Sequence, residues 1–182
     1  MSEVVPNMSD VERNRVDVLV IGAGAAGLRA AIALQEQGAQ VLVVGSRPRG
    51  DAHTVLAAGG INAALGTMDP EDTWYIHAAD TLFEGRMLGN AKAVELLCQE
   101  ALRAIDELVS YGAQFARSED GRLLQRYFGA HRYRRTCFAG DRTGWTIIEA
   151  LLAEADRRHI EIVEGLYVSD LLSNSGRVNG AL

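Results

Sequence analysis

The segment that most constrains this chain is Val16-Asp17-Val18-Leu19-Val20-Ile21-Gly22-Ala23-Gly24-Ala25-Ala26-Gly27. An apolar run rich in β-formers enters a turn with glycines at 22, 24 and 27, and an alanine-rich stretch leaves it. Each glycine of a Gly-x-Gly-x-x-Gly turn has a separate task. The first makes the tight turn, the second lets the backbone approach a pyrophosphate, and the third lets the helix pack closely on the strand. The helix N-terminus adds unpaired N–H groups and a partial positive charge facing an anion. Gly22, Ala23, Gly24, Ala25, Ala26 and Gly27 are therefore candidate phosphate-facing residues. The plainer alternative is a strand–helix turn that merely favours small residues.

The surrounding pattern supplies a βαβ unit. Residues 16–21 read as a strand. A helix follows from Gly24 to about Gln37, with Leu28, Ala31, Ile32 and Gln35 at helical spacing, and Gly38 is a natural stop. Residues 40–44 are a continuous apolar run, as in a parallel strand covered on both faces. The fold class expected is α/β: a Rossmann-like domain with a parallel sheet. At the tip of the second strand the chain reads Gly45-Ser46-Arg47, without the acid that an NAD-binding turn places there; the nearest is Asp51. Ser46 is a candidate to bond an adenosine ribose and Arg47 to meet a phosphate. For both, an ordinary surface turn is the alternative.

Residues 47–66 have no clear period and read as a long functional loop with a short helix near Asn62. Asp69-Pro70-Glu71 reads as a helix start, placing Trp74, Ala78 and Leu82 on one face. A second helix is expected over 92–111, with Val94, Cys98, Ala101, Ile105 and Leu108 as its apolar stripe. Residues 115–117 and 123–125 flank Glu119-Asp120-Gly121 as a small hairpin. A helix over 145–158 and a strand over 160–163 follow. Residues 166–171 and 177–182 flank the turn 173–176 as a C-terminal β-hairpin, in which the chain stops. The organisation expected is a polar tail over 1–15 and one domain over 16–182, truncated at its C-terminal side.

A net charge of −6 argues against nucleic-acid binding driven by bulk charge. The apolar stretch 16–34 is long enough to consider as a membrane span, but Asp17, Arg29 and the glycines interrupt it. Residues 1–14 are polar and lack the pattern of a secretory signal. Cys98 and Cys137 have no metal-ligand partners at useful spacing and read as buried, reduced thiols of a cytosolic protein; no metal site is expected.

From His53 onward the chain resembles a known family. His53-Thr54-Val55 and Gly59-Gly60-Ile61-Asn62-Ala63-Ala64-Leu65-Gly66 are similar to the flavin loop of succinate dehydrogenase and fumarate reductase flavoprotein subunits. The likeness continues through Glu71-Asp72-Thr73-Trp74, Asp80-Thr81, Tyr111-Gly112, Arg117-Ser118-Glu119-Asp120-Gly121, Gln125-Arg126-Tyr127-Phe128-Gly129 and Asp141-Arg142-Thr143-Gly144. It implies an FAD-binding domain whose flavin is covalently bonded through His53, a bond that needs a neutral imidazole nitrogen acting as nucleophile. It implies Thr54, Gly59 and Gly60 as cofactor-binding residues and Phe128 as a residue near the substrate. The departures are Ala58, where the family commonly has a glutamine near the flavin, Ala130 in place of a second glycine, and a slightly shorter loop between Ser46 and His53.

By the same resemblance the reaction interconverts succinate and fumarate. Electrons leave through an iron–sulfur subunit, and membrane-anchor subunits hold the complex peripherally on the cytoplasmic face. The histidines that clamp substrate and the arginine that shuttles the proton are implied beyond Leu182, so the fragment alone is expected to be inactive. Two alternatives stay open: an L-aspartate oxidase with noncovalent FAD, which lacks the histidine, and a noncatalytic nucleotide-binding or assembly module.

Arg126, Arg132, Arg134, Arg135 and Arg142 crowd one stretch, interleaved with Tyr127, Phe128, His131 and Tyr133. Arginine forks suit carboxylates and phosphates. The segment reads as a positive surround for the FAD pyrophosphate and a dicarboxylate, or else as a solvated loop or a docking face for a partner subunit. His77 reads as structural and His159 as a surface residue at a strand start.

Overall fold

The structure, a computed structural model, describes residues 13–182. Most of the polar tail expected over 1–15 therefore lies outside the described residues.

The glycine-rich unit forms as its pattern predicts. Strand β1 (Val18–Ile21) leads into helix α1 (Ala25–Glu36), and strand β2 (Val41–Val44) returns parallel to β1, pairing Val18 with Val41 and Ile21 with Val44. Leu28, Ala31 and Ile32 are the buried residues of α1. They join Val43 of β2 and Ile148, Leu151 and Ala155 of the later helix α4 (Thr143–Arg157) in one core. Strand β6 (Glu161–Val163) adds to β2 in parallel, so the sheet order is β1-β2-β6. The α/β fold class with a parallel sheet is as expected.

Four local features differ from the sequence reading. No helix forms near Asn62. Strand β3 (Ile61–Asn62) pairs there with β5 (Thr136–Cys137), which also pairs with β4 (Gln125–Arg126) in a small antiparallel sheet. These pairings are distant in sequence, and a two-residue strand carries no readable period. Asp69-Pro70 does not open helix α2 (Trp74–Glu84). It closes a turn, Asp72 N–H to Asp69 C=O, and Thr73 caps the helix through its hydroxyl. Asp69 is otherwise engaged, accepting the backbone N–H of Arg134 (2.6 Å). The C-terminal hairpin is shorter than expected: β7 (Leu171–Asn174) and β8 (Arg177–Ala181) join through Ser175-Gly176, both at positive φ, and residues 166–170 are not strand. Helix α3 (Ala91–Ser110) buries Cys98, Ile105 and Leu108. The expected hairpin around Glu119-Asp120-Gly121 reduces to one antiparallel bridge, Arg117 with Leu123.

The arginine segment differs most from its reading as a positive surround. Three of its five arginines pair with carboxylates, and Arg142 lies 5.5 Å over the Trp145 ring. Arg135 is fully buried and grips Asp72 with two hydrogen bonds, Nε to Oδ2 at 2.9 Å and Nη2 to Oδ1 at 2.7 Å; its Nη1 lies 3.0 Å from Asp80 Oδ2. Arg132 donates twice to Asp80 Oδ1, and Arg134 pairs with Asp69. Three cations thus meet three acids from the segment before and within α2. The pairing was invisible because the partners lie more than fifty residues away.

His77 is buried on α2, its ring centroid 6.1 Å from that of His131. Burial, reinforced by the charge of Arg135, lowers its pKa to about 4. The folded state therefore resists a proton that the unfolded chain accepts near pH 6.5, so stability falls as pH drops from 6.5 towards 4. We expect urea midpoints to decline across that window and the decline to flatten in His77→Gln. An equally steep decline in the variant would assign the effect to other groups. Both cysteines are free and buried, and burial raises Cys137 to about 11, so neither is a reactive thiol at neutral pH. His159 is exposed, as expected.

Candidate functional site

The first glycine turn is built as its spacing requires. Gly22 sits at φ +111°, where L side chains are strained, and its N–H donates to Val44 C=O (2.7 Å). A Cβ at Gly27 would overlap the carbonyl oxygen of Gly22, so this glycine is demanded by the protein's own packing. Gly24 differs: a Cβ there would meet only ordinary contacts, Ala52 Cβ and Thr54 Oγ1 at 3.7 Å. The fold does not explain that glycine, whereas a backbone left open to a ligand does.

Leu28 N–H is the first of α1 to bond within the helix, to Gly24 C=O (2.9 Å). Ala25 N–H is taken by Thr54 Oγ1 (3.3 Å). Among the described residues no hydrogen bond claims the N–H groups of Ala26 or Gly27. This leaves donors at a helix N-terminus, the arrangement that receives an anion.

The two glycine-rich segments converge. His53 and Thr54 lie on a one-turn 3-10 helix (His53–Leu56), and with Gly22, Ala23, Gly24, Ser46 and Arg47 they line a cavity of about 320 Å³. Gly45, Pro48, Asp51 and Ala52 complete its lining. Gly45 was not singled out by sequence reasoning; a Cβ there would press on Ala23 Cβ at 3.2 Å, which is the reason for a glycine at the tip of β2. Arg47 is not free: it lies 3.7 Å from Asp51, in an exposed pair worth little. His53 is exposed at the cavity wall. A larger open groove of about 540 Å³, bordered by Phe115, Arg142 and Trp145, shares no lining residue with this cavity.

Gly59 and Gly60 do not line the cavity; they continue the His53 loop into β3. Gly60 is at φ +126°, and a Cβ there would meet Cys137 C=O at 2.6 Å, so the loop lies flat on β5. The ring of Phe128, about half exposed, covers Gly59 closely enough that a Cβ would meet it at 2.7 Å. Arg126 secures the same backbone by donating to Gly59 C=O (2.7 Å), its guanidinium 4.5 Å above the Phe138 ring. The sequence left Arg126 open between an anion surround and a solvated or docking loop; the structure bonds it to the His53 loop. Ala58 is exposed. No group of three metal-ligating side chains occurs among the described residues.

This geometry coincides with a family assignment. A family model described as FAD binding domain matches residues 17–182. The chain belongs to the FAD binding domain family. One component of the fumarate reductase (CoM/CoB) of Methanothermobacter marburgensis is 42% identical over 167 residues, covering 91% of this chain and 30% of that protein. The succinate dehydrogenase flavoprotein subunit of Rickettsia bellii is 36% identical over 181 residues, covering 95% of this chain and 30% of that one. Among solved structures, Mycobacterium smegmatis Sdh1 in complex with UQ1 superposes with a TM-score of 0.90 at 40% identity, over 94% of this chain and 31% of that chain. This FAD binding domain chain thus spans about 30% of the length of the curated relatives it matches. No helix among its described residues is long and apolar enough to cross a membrane.

Proposed function

We propose that this chain is the FAD-holding part of a flavoprotein subunit that interconverts succinate and fumarate, with the cofactor tethered covalently through His53. The observation that carries this reading is the cavity walled at once by the Gly22–Gly24 backbone and by His53. A dinucleotide can be gripped there at its pyrophosphate and met by an imidazole. The relatives named for succinate and fumarate chemistry supply the reaction class.

Bound FAD supplies the hydride acceptor. The N–H groups of Ala26 and Gly27 neutralise the pyrophosphate, and Ala23 and Gly24 let it approach. Ser46 bonds the adenosine ribose, and Arg47 exchanges its weak bond to Asp51 for a phosphate. Thr54 fixes the turn that presents His53. Gly59 and Gly60 keep backbone rather than side chain beside the flavin ring, and Phe128 screens the substrate side. No residue of the described chain is assigned as acid or base for the dicarboxylate.

Residues 16–182 belong to the FAD-binding domain on this reading, with 1–15 as a tail. Electrons pass to an iron–sulfur subunit, and membrane-anchor subunits place the complex peripherally on the cytoplasmic face. Nucleic acid is not a partner.

His53→Ser in the full-length protein tests the reading. Flavin fluorescence should vanish from the denatured polypeptide while dialysable FAD remains. Succinate oxidation by an artificial dye should fall more than about tenfold, because an untethered flavin is a weaker oxidant. Full retention of flavin on the denatured variant would contradict it.

A further inference from the structure

The turn that carries His53 is wedged between the first turns of two helices. On one side Thr54 Oγ1 accepts the N–H of Ala25 in α1 (3.3 Å). On the other, Gly144 in the first turn of α4 donates its N–H to Ala57 C=O (2.7 Å). A Cβ on Gly144 would overlap the carbonyl oxygen of Thr54 and stand 3.0 Å from Ala57 N. Gly144 is buried, and so is Thr143, whose hydroxyl accepts the N–H of Ala139 (3.1 Å). Helix α4 is anchored in the core through Ile148, Leu151 and Ala155. Its N-terminus is therefore a fixed stop.

We propose that the wedge formed by Gly144 and Thr54 positions His53 for flavin attachment, with Gly144 as a positioning residue outside the cofactor cavity. The inference rests on His53 being the attachment residue. Attachment breaks one imidazole N–H and one flavin methyl C–H and forms one N–C bond. The two hydrogens and their electrons are taken up by the flavin ring itself, so bond formation needs no external oxidant. The geometry is demanding, because a nucleophile displaced by a fraction of an ångström loses much of its rate. A methyl at position 144 has nowhere to go except by pushing the Thr54 carbonyl, and with it the adjoining His53, away from α4. The clash is with backbone, which no rotamer change relieves.

The test compares Gly144→Ala, Thr54→Val and Thr54→Ser in the full-length holoprotein, reading total FAD and the fraction that stays on the denatured polypeptide. Of the FAD that Gly144→Ala retains, the covalent fraction should fall about tenfold or more. Thr54→Val, which removes the acceptor without adding bulk, should lower the covalent fraction, and Thr54→Ser should restore it. In a His53→Ser background, Gly144→Ala should change the dissociation constant for FAD by much less than it lowers the covalent fraction, an outcome that a role in general FAD binding would not give. Should Gly144→Ala fail to fold, the Val and Ser pair at Thr54 still decides the matter. Wild-type covalent fractions in Gly144→Ala and Thr54→Val would overturn the inference while leaving the attachment reading intact. Wild-type protein without covalent flavin would overturn both.

Discussion

Replacing Gly27 with alanine is expected to destabilise the protein and abolish its FAD content together. The added methyl would overlap Gly22 C=O, approach Gly22 C at 3.1 Å and reach Val20 Cγ1 at 3.3 Å. Two of these three contacts are backbone, so relief requires α1 to move off β1. Leu28, Ala31 and Ile32, whose burial ties α1 to the sheet, would move with it. Overpacking of this kind costs about 1–3 kcal/mol, and here it also dislocates the unclaimed N–H groups of the α1 N-terminus, which are proposed to hold the pyrophosphate. The measurement is thermal unfolding followed by far-UV circular dichroism, with FAD content determined in parallel. Gly24→Ala is the matched contrast. Its methyl meets only ordinary contacts, so Tm should stay near that of the parent while FAD affinity falls. Equal behaviour of the two variants would remove the distinction between the packing glycine and the ligand glycine.

Arg135→Met is expected to be the most destabilising single change outside the glycine turn, at about 3–5 kcal/mol. Arg135 is 0% exposed and holds Asp72, itself buried, through two hydrogen bonds. Removing the guanidinium leaves that carboxylate in a low-dielectric site without its cation. Asp80 is less affected because Arg132 still reaches it. The segment from Asp72 into α2 would lose its tie to β5, and β5 is the strand on which the His53 loop lies. Arg132→Met removes an exposed partner and should shift the midpoint far less. Urea midpoints for the two variants separate these cases. Similar midpoints would mean that the buried pair contributes no more than the exposed one.

The parts legible in the sequence were those with local periodicity or a fixed spacing. The run from Val18 to Val44 announced its strand, turn, helix and strand because each element had its own apolar period and its own glycine stop. The pairing of His53 with that turn in one cavity followed from a family likeness rather than from any periodicity, since residues 47–66 have none. What escaped was set by distant contacts. The arginines between 126 and 135 looked like a reserve of positive charge, but Asp69, Asp72 and Asp80 had already claimed three of them, and Gly59 C=O a fourth. Gly144 carried a signal that was read only as part of a motif. A glycine in the first turn of a helix, where capping gains nothing from it, marks a backbone passing very close, and here that backbone is the His53 turn.

The central claim, a flavin bonded to one imidazole and cradled by a glycine turn, is most directly tested by peptide mapping of the denatured holoprotein. The account requires the proteolytic peptide containing His53 to carry the mass and the yellow colour of the flavin. An unmodified His53 peptide, with all the flavin in the protein-free supernatant, would contradict it.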